Sequence, residues 1–319
     1  WPNPPHFPNI FHARYCTSTI ELVMDFELYE IIQAFGDGLM KGSTYALMGI
    51  GFTLIFGVMQ KINMSFAAVS ISGAYASLAA SILFPEVHVF VVFGASIIFS
   101  GMIGYFVYLC CFKWIPLANP LATLMATIGM LFFLEEVVVH ATNGMPLPYP
   151  AMPFDEYFEF GQYSVRGDLV LIFFMCLIAT AVLMYLLYRT RLGIATRAVA
   201  QQPIAARLSG ISIEKTNAGT FIITGLLGGL AGAMIASTVS VLSVLFFLPV
   251  TVKGLIVAVI GGLGSIPGAI VAGLLVGGIE EVALLLRGIL ERDIYIMVLL
   301  FLFLTLRPGG IFSKTFQRN

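Results

Sequence analysis

The chain has 319 residues and a mass of 34.6 kDa, with 59% hydrophobic residues, 10% charged residues and a mean hydropathy of +0.97. A soluble globular domain carries about 25% charged residues, so an ordinary cytosolic enzyme is excluded. Sixteen Lys and Arg against seventeen Asp and Glu leave a net charge of −1, with no basic surplus to neutralise a nucleic-acid backbone.

Residues 1–23 hold four prolines and no long apolar run. They lack the hydrophobic region of a secretory signal and read as an appendage, with translation expected to begin at Met24 and a transmembrane domain expected over 24–319. Roughly 188 apolar residues (59% of 319), at about 20 per bilayer crossing, supply eight or nine spanning or partly spanning helices, so the expected fold is all-α and polytopic. From Gly38 onward apolar segments follow at 38–59, 65–85, 88–112, 120–141, 168–188, 217–243, 250–263, 264–286 and 293–307. The independence of the seventh and eighth is open. They meet at Gly261-Gly262-Leu263-Gly264-Ser265-Ile266-Pro267-Gly268, where four glycines and a proline either break one long helix or turn the chain between two short ones.

Charge arbitrates, because Lys/Arg-rich loops stay cytoplasmic. The loop 189–216 carries Arg189, Arg191, Arg197, Arg207 and Lys215. With nine segments it shares the inner side with Lys61, Lys113, Arg307, Lys314 and Arg318, ten of the sixteen basic residues. The 142–167 loop, with Asp155, Glu156 and Glu159, then faces out together with the N-terminus. A merged seventh and eighth pass would expose the basic tail outside, so nine segments are preferred.

Small residues cluster at Gly225-x-x-x-Gly229, Gly228-x-x-x-Gly232 and Gly273-x-x-x-Gly277, where one glycine-lined helix face lets neighbouring backbones approach in lipid. Cys110, Cys111 and Cys176 lie in apolar stretches and Cys16 is isolated. His6, His12, His88 and His140 never reach ligand spacing, so neither a disulfide framework nor a metal site is expected. The sequence has no G-x-x-x-x-G-K-[ST] phosphate loop; in GDGLMKGS (36–43) Lys41 precedes Gly42 and the pattern fails. No cofactor is expected on this chain, and ATP, if used, is hydrolysed on another.

Residues 189–218, RTRLGIATRAVAQQPIAARLSGISIEKTNA, are rich in Ala, Arg and Gln and suit short surface helices. Pro203 fits a first helical turn, Ala205, Ala206, Arg207 and Leu208 continue it, and Gly210 closes it as a left-handed cap. Such a helix offers a small knob to a docking partner; a solvated connector anchored by positive charge is the plainer reading.

Within the membrane every polar group is costly unless paired or facing a cavity. Ser43, Thr44 and Tyr45 are pathway candidates, set against hydroxyls that simply bond back to their own helix. Asn63 either meets a solute or caps the adjoining helix. Adjacent carboxylates at Glu135/Glu136 and Glu280/Glu281 point about 100° apart on a helix, so at most one of each pair can face a narrow pathway; attraction of a substrate ammonium is set against snorkelling at a helix end or an interhelical salt bridge. Gly261, Gly262 and Gly264 mark a hinge or a substrate contact through freed backbone groups, with Lys253 near an outer vestibule.

RTRLGIATRAVAQQPIAARLSGI resembles the cytoplasmic loop of the branched-chain (hydrophobic) amino acid ABC transporter permeases, and Ala205-Ala206-x-x-x-Gly210 is similar to the E-A-A-x-x-x-G coupling element of ABC importers, with Ile204 at the Glu position. GSTYALMGIGFTLIFGVMQKIN (42–63), NPLATLMATIG (119–129), AVIGGLGSIPGAIVAGLLVGGIEE (258–281) and RDIYIMVLLFLFLTLRPGGIF (292–312) continue the resemblance in the family's order. In QKINMSFAAVS, Phe66 stands where the family often carries histidine. The resemblance implies an inner-membrane permease that imports branched-chain or related hydrophobic amino acids by alternating access. It also implies a second permease, two cytoplasmic ATPase subunits and a periplasmic solute-binding protein as partners, with Pro203, Ala205, Ala206, Arg207 and Gly210 coupling to the ATPase. The competing reading is a proton- or cation-coupled secondary transporter using a carboxylate such as Glu135.

Overall fold

A computed structural model describes residues 28–83, 88–115, 120–153, 157–160, 163–307 and 309–312. The appendage 1–23, the start at Met24, Cys16, Asp155, Glu156, Lys314 and Arg318 lie outside the described residues. The helices are α1 (Leu28–Met59), α2 (Phe66–Leu83), α3 (Val89–Val107, continuing as a wider turn to Phe112), α4 (Pro120–Thr142), α5 (Gly167–Arg189), α6 (Arg191–Gln201), α7 (Pro203–Leu208), α8 (Ile213–Val239), α9 (Phe247–Gly261), α10 (Ile266–Arg287) and α11 (Ile289–Leu306).

Nine of these correspond to the nine apolar segments, and the chain is an all-α polytopic membrane protein. Among the described residues seven stretches are long and apolar enough to cross a bilayer: 29–59, 89–112, 121–142, 167–189, 213–239, 244–261 and 266–287. The α2 helix is shorter, and α11 carries Glu291, Arg292 and Asp293 near its start. The seventh and eighth segments are separate helices. Gly262 and Gly264, at φ +96° and +94°, turn the chain between them, and Ser265 accepts the Gly268 N–H to open α10.

Contacts between connections fix an alternating path. At one end, Leu147 and Pro148 pair antiparallel with Leu242 and Val241, Gln33 Nε2 donates to the Ser164 carbonyl, and Ser237 Oγ donates to the Pro150 carbonyl. At the other end, Lys61 Nζ donates to Thr123 Oγ1, the Tyr108 hydroxyl donates to the Glu214 carbonyl, and the Ile311 N–H donates to the Ile260 carbonyl. The first end holds the 142–167 connection and the second holds the basic 189–216 loop, so the positive-inside rule names them outer and inner.

The α1 helix is the core of the molecule, with 78% of its apolar window buried, whereas α5 buries 22% and turns the rest outward. Glycine explains how α1 and α10 meet. A Cβ on Gly277 would strike the Gly42 and Gly38 backbones, and one on Gly273 would strike Ala46. The α8 glycines do the same elsewhere: Gly225 and Gly229 lie on α3 at Ser100 and Ser96, and Gly228 and Gly232 lie on α2 at Ser70. With no extra hydrophobic drive between helices in lipid, this close packing supplies the cohesion.

Candidate functional site

Two places on this scaffold gather unusual chemistry, one at the inner end and one in the outer half. At the inner end, Gly193 lets α6 turn tightly off α5, because a Cβ there would collide with the Leu186 and Leu187 carbonyls. Thr190 caps α6 by accepting the Gly193 N–H at 3.3 Å, and Ser212 caps α8 through Lys215 N–H. Between them Pro203 occupies the first turn of α7, as its fixed φ and missing N–H favour. Gly210 takes φ +82° just beyond the helix, and the Ile211 N–H returns to the Ala206 carbonyl at 3.0 Å. The residues expected to form a knob therefore do form a short capped helix.

Its two alanines point about 100° apart, and only one of them meets the body. Ala206 is buried against the body, while Ala205 and Arg207 are exposed. Ile204 and Leu208, at 77% and 85% exposure, sit one turn apart and about 160° around the helix from Ala206. Large apolar side chains of the spanning helices are exposed as well, and in the same inner loop Leu192 and Ile194 of α6 are 40% and 55% exposed. Ile204 and Leu208 belong to the connection between α5 and α8 at the inner end, outside the candidate spans.

The outer half holds a buried charge network that sequence spacing did not reveal. Glu280 on α10 is 3% exposed. Its Oε1 accepts from Lys253 Nζ of α9 at 2.7 Å and from the Tyr45 hydroxyl of α1 at 3.3 Å, with Arg292 Nε of α11 at 3.4 Å. Asp293 joins Lys253 at 3.3 Å and Arg292 at 3.5 Å. Next door, Glu281 pairs with Lys41 of α1 at 2.6 Å. The adjacent carboxylates thus split between two cations on different helices, as their angular separation requires. Glu135 is half-buried and Glu136 exposed on α4.

The other pathway candidates sit in structural bonds. Ser43 and Thr44 are buried, and their hydroxyls donate to the Met40 and Lys41 carbonyls of their own helix. Asn63 Oδ1 accepts both the N–H and the hydroxyl of Ser65, which fastens the entry to α2. Beside it Lys61 is buried, and desolvation lowers its pKa below 10.5. On the outer side Tyr149 packs under Ser77, and burial pushes its phenol up to about 12. Gly261 lies flat on Gly268, Gly262 on Gly310 and Gly264 beside Gly57, while the Ile260 and Gly261 carbonyls accept from Ile311 and Phe312. Among the described residues no three His, Cys, Asp or Glu side chains converge as metal ligands.

Residues 34–306 match the family described as the branched-chain amino acid transport system permease component. The chain belongs to that family. It is 31% identical to the high-affinity branched-chain amino acid transport permease BraD of Pseudomonas aeruginosa, over 90% of this chain and 97% of that protein. It is 28% identical to LivH of Escherichia coli K12 over 90% and 96% of the two chains. A more partial likeness, 29% over 61% of this chain and 58% of the relative, is to the ribose import permease RbsC of the same organism. Membership makes this chain a transporter subunit and not an enzyme.

Proposed function

We propose that this permease forms the membrane path of an ATP-driven importer for branched-chain or related hydrophobic amino acids in the bacterial inner membrane. It works with a second homologous permease, two cytoplasmic ATPase subunits and a periplasmic solute-binding protein. The observation that carries the reading is the capped α7 knob at the inner end, with Ile204 and Leu208 exposed on it. The similarity to BraD and LivH over nearly their whole length supports the solute class.

In this reading Ile204, Ala205 and Leu208 enter a groove on the ATPase, and Arg207 pairs at its rim. Pro203 and Gly210 set the helix ends, and Ala206 locks the knob to the membrane domain. Closure of the ATPases displaces the knob, and the rigid corner at Gly193 carries that displacement into α5. Two membrane conformations are then biased by nucleotide state. Ser43, Thr44, Tyr45 and Asn63 line or support the solute path, and Gly261, Gly262 and Gly264 form its inner turn.

The test uses the whole complex reconstituted in liposomes with ATP on the ATPase side. Leu208→Glu should weaken retention of the ATPase by at least about tenfold, since it removes a projecting apolar anchor. Uptake should fall with it, and wild-type uptake should survive collapse of the proton gradient. Unchanged assembly and uptake in Leu208→Glu would refute the docking role, and loss of wild-type uptake with the gradient would favour the secondary transporter.

A further inference from the structure

Three of the serines on α2 bond to their own backbone: Ser70 donates to the Phe66 carbonyl, Ser77 to Ala74 and Ser81 to Leu78. Ser72 does not; its buried hydroxyl has no hydrogen-bond partner among the described residues. One turn further on, Tyr75 shows the same lack. The Tyr45, Tyr108 and Tyr149 hydroxyls are engaged by Glu280, the Glu214 carbonyl and Ser77, whereas the Tyr75 hydroxyl is enclosed and unpartnered. Both residues are 7% exposed. A serine can turn back onto its own helix. The Tyr75 hydroxyl, at the far end of a rigid ring, cannot.

One side of α2 is taken by its neighbours α8 and α3: a Cβ on Gly228 or Gly232 would meet Ser70, and one on Gly73 would meet Ser100. At 100° per residue, Ser72 and Tyr75 fall on the opposite side of α2, about 60° apart. There the Tyr75 ring lies on Phe247 of α9, with centroids 6.4 Å apart and planes 26° from parallel. Side chains on a helix lean toward its N-terminus, so the Tyr75 phenol covers the turn that bears Ser72. Both residues stand near the middle of the 18-residue helix, at a depth where lipid offers an unsatisfied polar group nothing. Thr53 on α1 and Asn217 on α8 also hold unpartnered oxygens, but singly. Two unpaired hydroxyls a turn apart on one face are a cost that the closed packing does not repay.

We infer that Ser72 and Tyr75 hold the carboxylate of an amino acid in transit, with Phe247 against its apolar side chain. The inference rests on the importer reading above and gives that solute a stopping place at mid-membrane. Each hydroxyl donates one hydrogen bond, and a carboxylate offers an oxygen to each. Uncharged donors hold the solute loosely enough to release it onward, as a site along a path requires. The Tyr75 and Phe247 rings close the place in this structure, and it opens when α2 and α9 part during alternating access. An apolar amine without the carboxylate leaves both donors unpaired and is disfavoured.

The test uses the complete complex in liposomes with ATP and limiting leucine-loaded binding protein. Tyr75→Phe keeps the ring on Phe247 and deletes only the hydroxyl. It should hold or raise the melting temperature, because an unpaired buried group is removed. Leucine uptake should nevertheless fall about tenfold, the factor for one hydrogen bond lost to a charged group. Ser72→Ala should do likewise, and Ser81→Ala, whose hydroxyl serves its own helix, should leave uptake unchanged. Contact is read with a leucine bearing a photoreactive diazirine on its side chain. Irradiated during turnover, it should label α2 or the segment around Phe247, excess leucine should suppress the label, and Tyr75→Phe should lose most of it. Where wild-type uptake is intact, three results each overturn the site alone: full uptake in Tyr75→Phe, a lowered melting temperature of that variant, or a label confined to other helices. A wild-type complex without ATP-driven uptake of any amino acid overturns the importer reading and the site with it.

Discussion

A carboxylate enclosed among helices is tolerable only while its cations stay in reach, and Glu280 is the group on which four helices converge. Removing one partner of a buried pair is strongly destabilising because the other charge is left in low dielectric, whereas removing both is much less so. Glu280→Leu is therefore expected to cost about 3–5 kcal/mol. Lys253→Met placed on top of it should recover part of that loss, since one fewer cation is then stranded. Thermal unfolding of the purified complex, arranged as a double-mutant cycle, measures the interaction directly; strictly additive losses would show that the pair is not coupled. The sequence displayed Glu280 and Glu281 as an anomaly in an apolar run, yet it did not name their partners. Lys253 is 27 residues from Glu280 and Lys41 is 240 residues from Glu281, pairings that only the helix packing decides.

Between elements, the seam of α1 and α10 is set by what is missing from it. Gly38, Gly42 and Ala46 recur every four residues and oppose Gly273 and Gly277, where an added Cβ would meet backbone and not a yielding side chain. Gly277→Val should force α1 and α10 apart and lower stability by about 1–3 kcal/mol or more. Gly129→Ala on α4, with open space around its Cβ, should be neutral or stabilise the helix. Melting temperatures of the two variants against wild type decide the matter, and equal behaviour would mean the seam is looser than the structure has it. The glycine spacing of α8 and α10 was legible because close approach in lipid requires small residues at every fourth position. The capped α7 helix was legible too, since Pro203 and Gly210 carry their own backbone preferences. The burial of Ala206 with Ala205 left exposed was not, because local spacing does not say which face the body occupies. Among the described residues α1 already runs from Leu28, ahead of the apolar onset at Gly38, and carries Glu30 and Asp37 in that early part.

For the whole molecule, the consequential choice is whether the chain turns at Gly262–Ser265 or runs through. Hydropathy alone left this open, and loop charge settled the expectation. The structure agrees on independent grounds: α9 and α10 are separate helices, and Ile311 returns to the Ile260 carbonyl, so the end of α11 lies beside the turn. Among the described residues an odd number of passes follows, with the start of α1 and the paired connections Leu147–Pro148 and Val241–Leu242 on one side. The knob, the glycine turn and residues 309–312 lie on the other. Gly144→Cys should then be labelled in intact spheroplasts by an impermeant thiol reagent, while Ser209→Cys and Gly264→Cys should be labelled only after the membrane is opened. Both of the latter are exposed at the inner end and neither lies within an apolar span. Labelling of Gly264→Cys from outside would put the turn and the knob on opposite sides of the membrane and break the alternating path of the chain. Labelling of Ser209→Cys from outside would invert the molecule and leave Ile204 and Leu208 facing the wrong compartment for any nucleotide-driven partner.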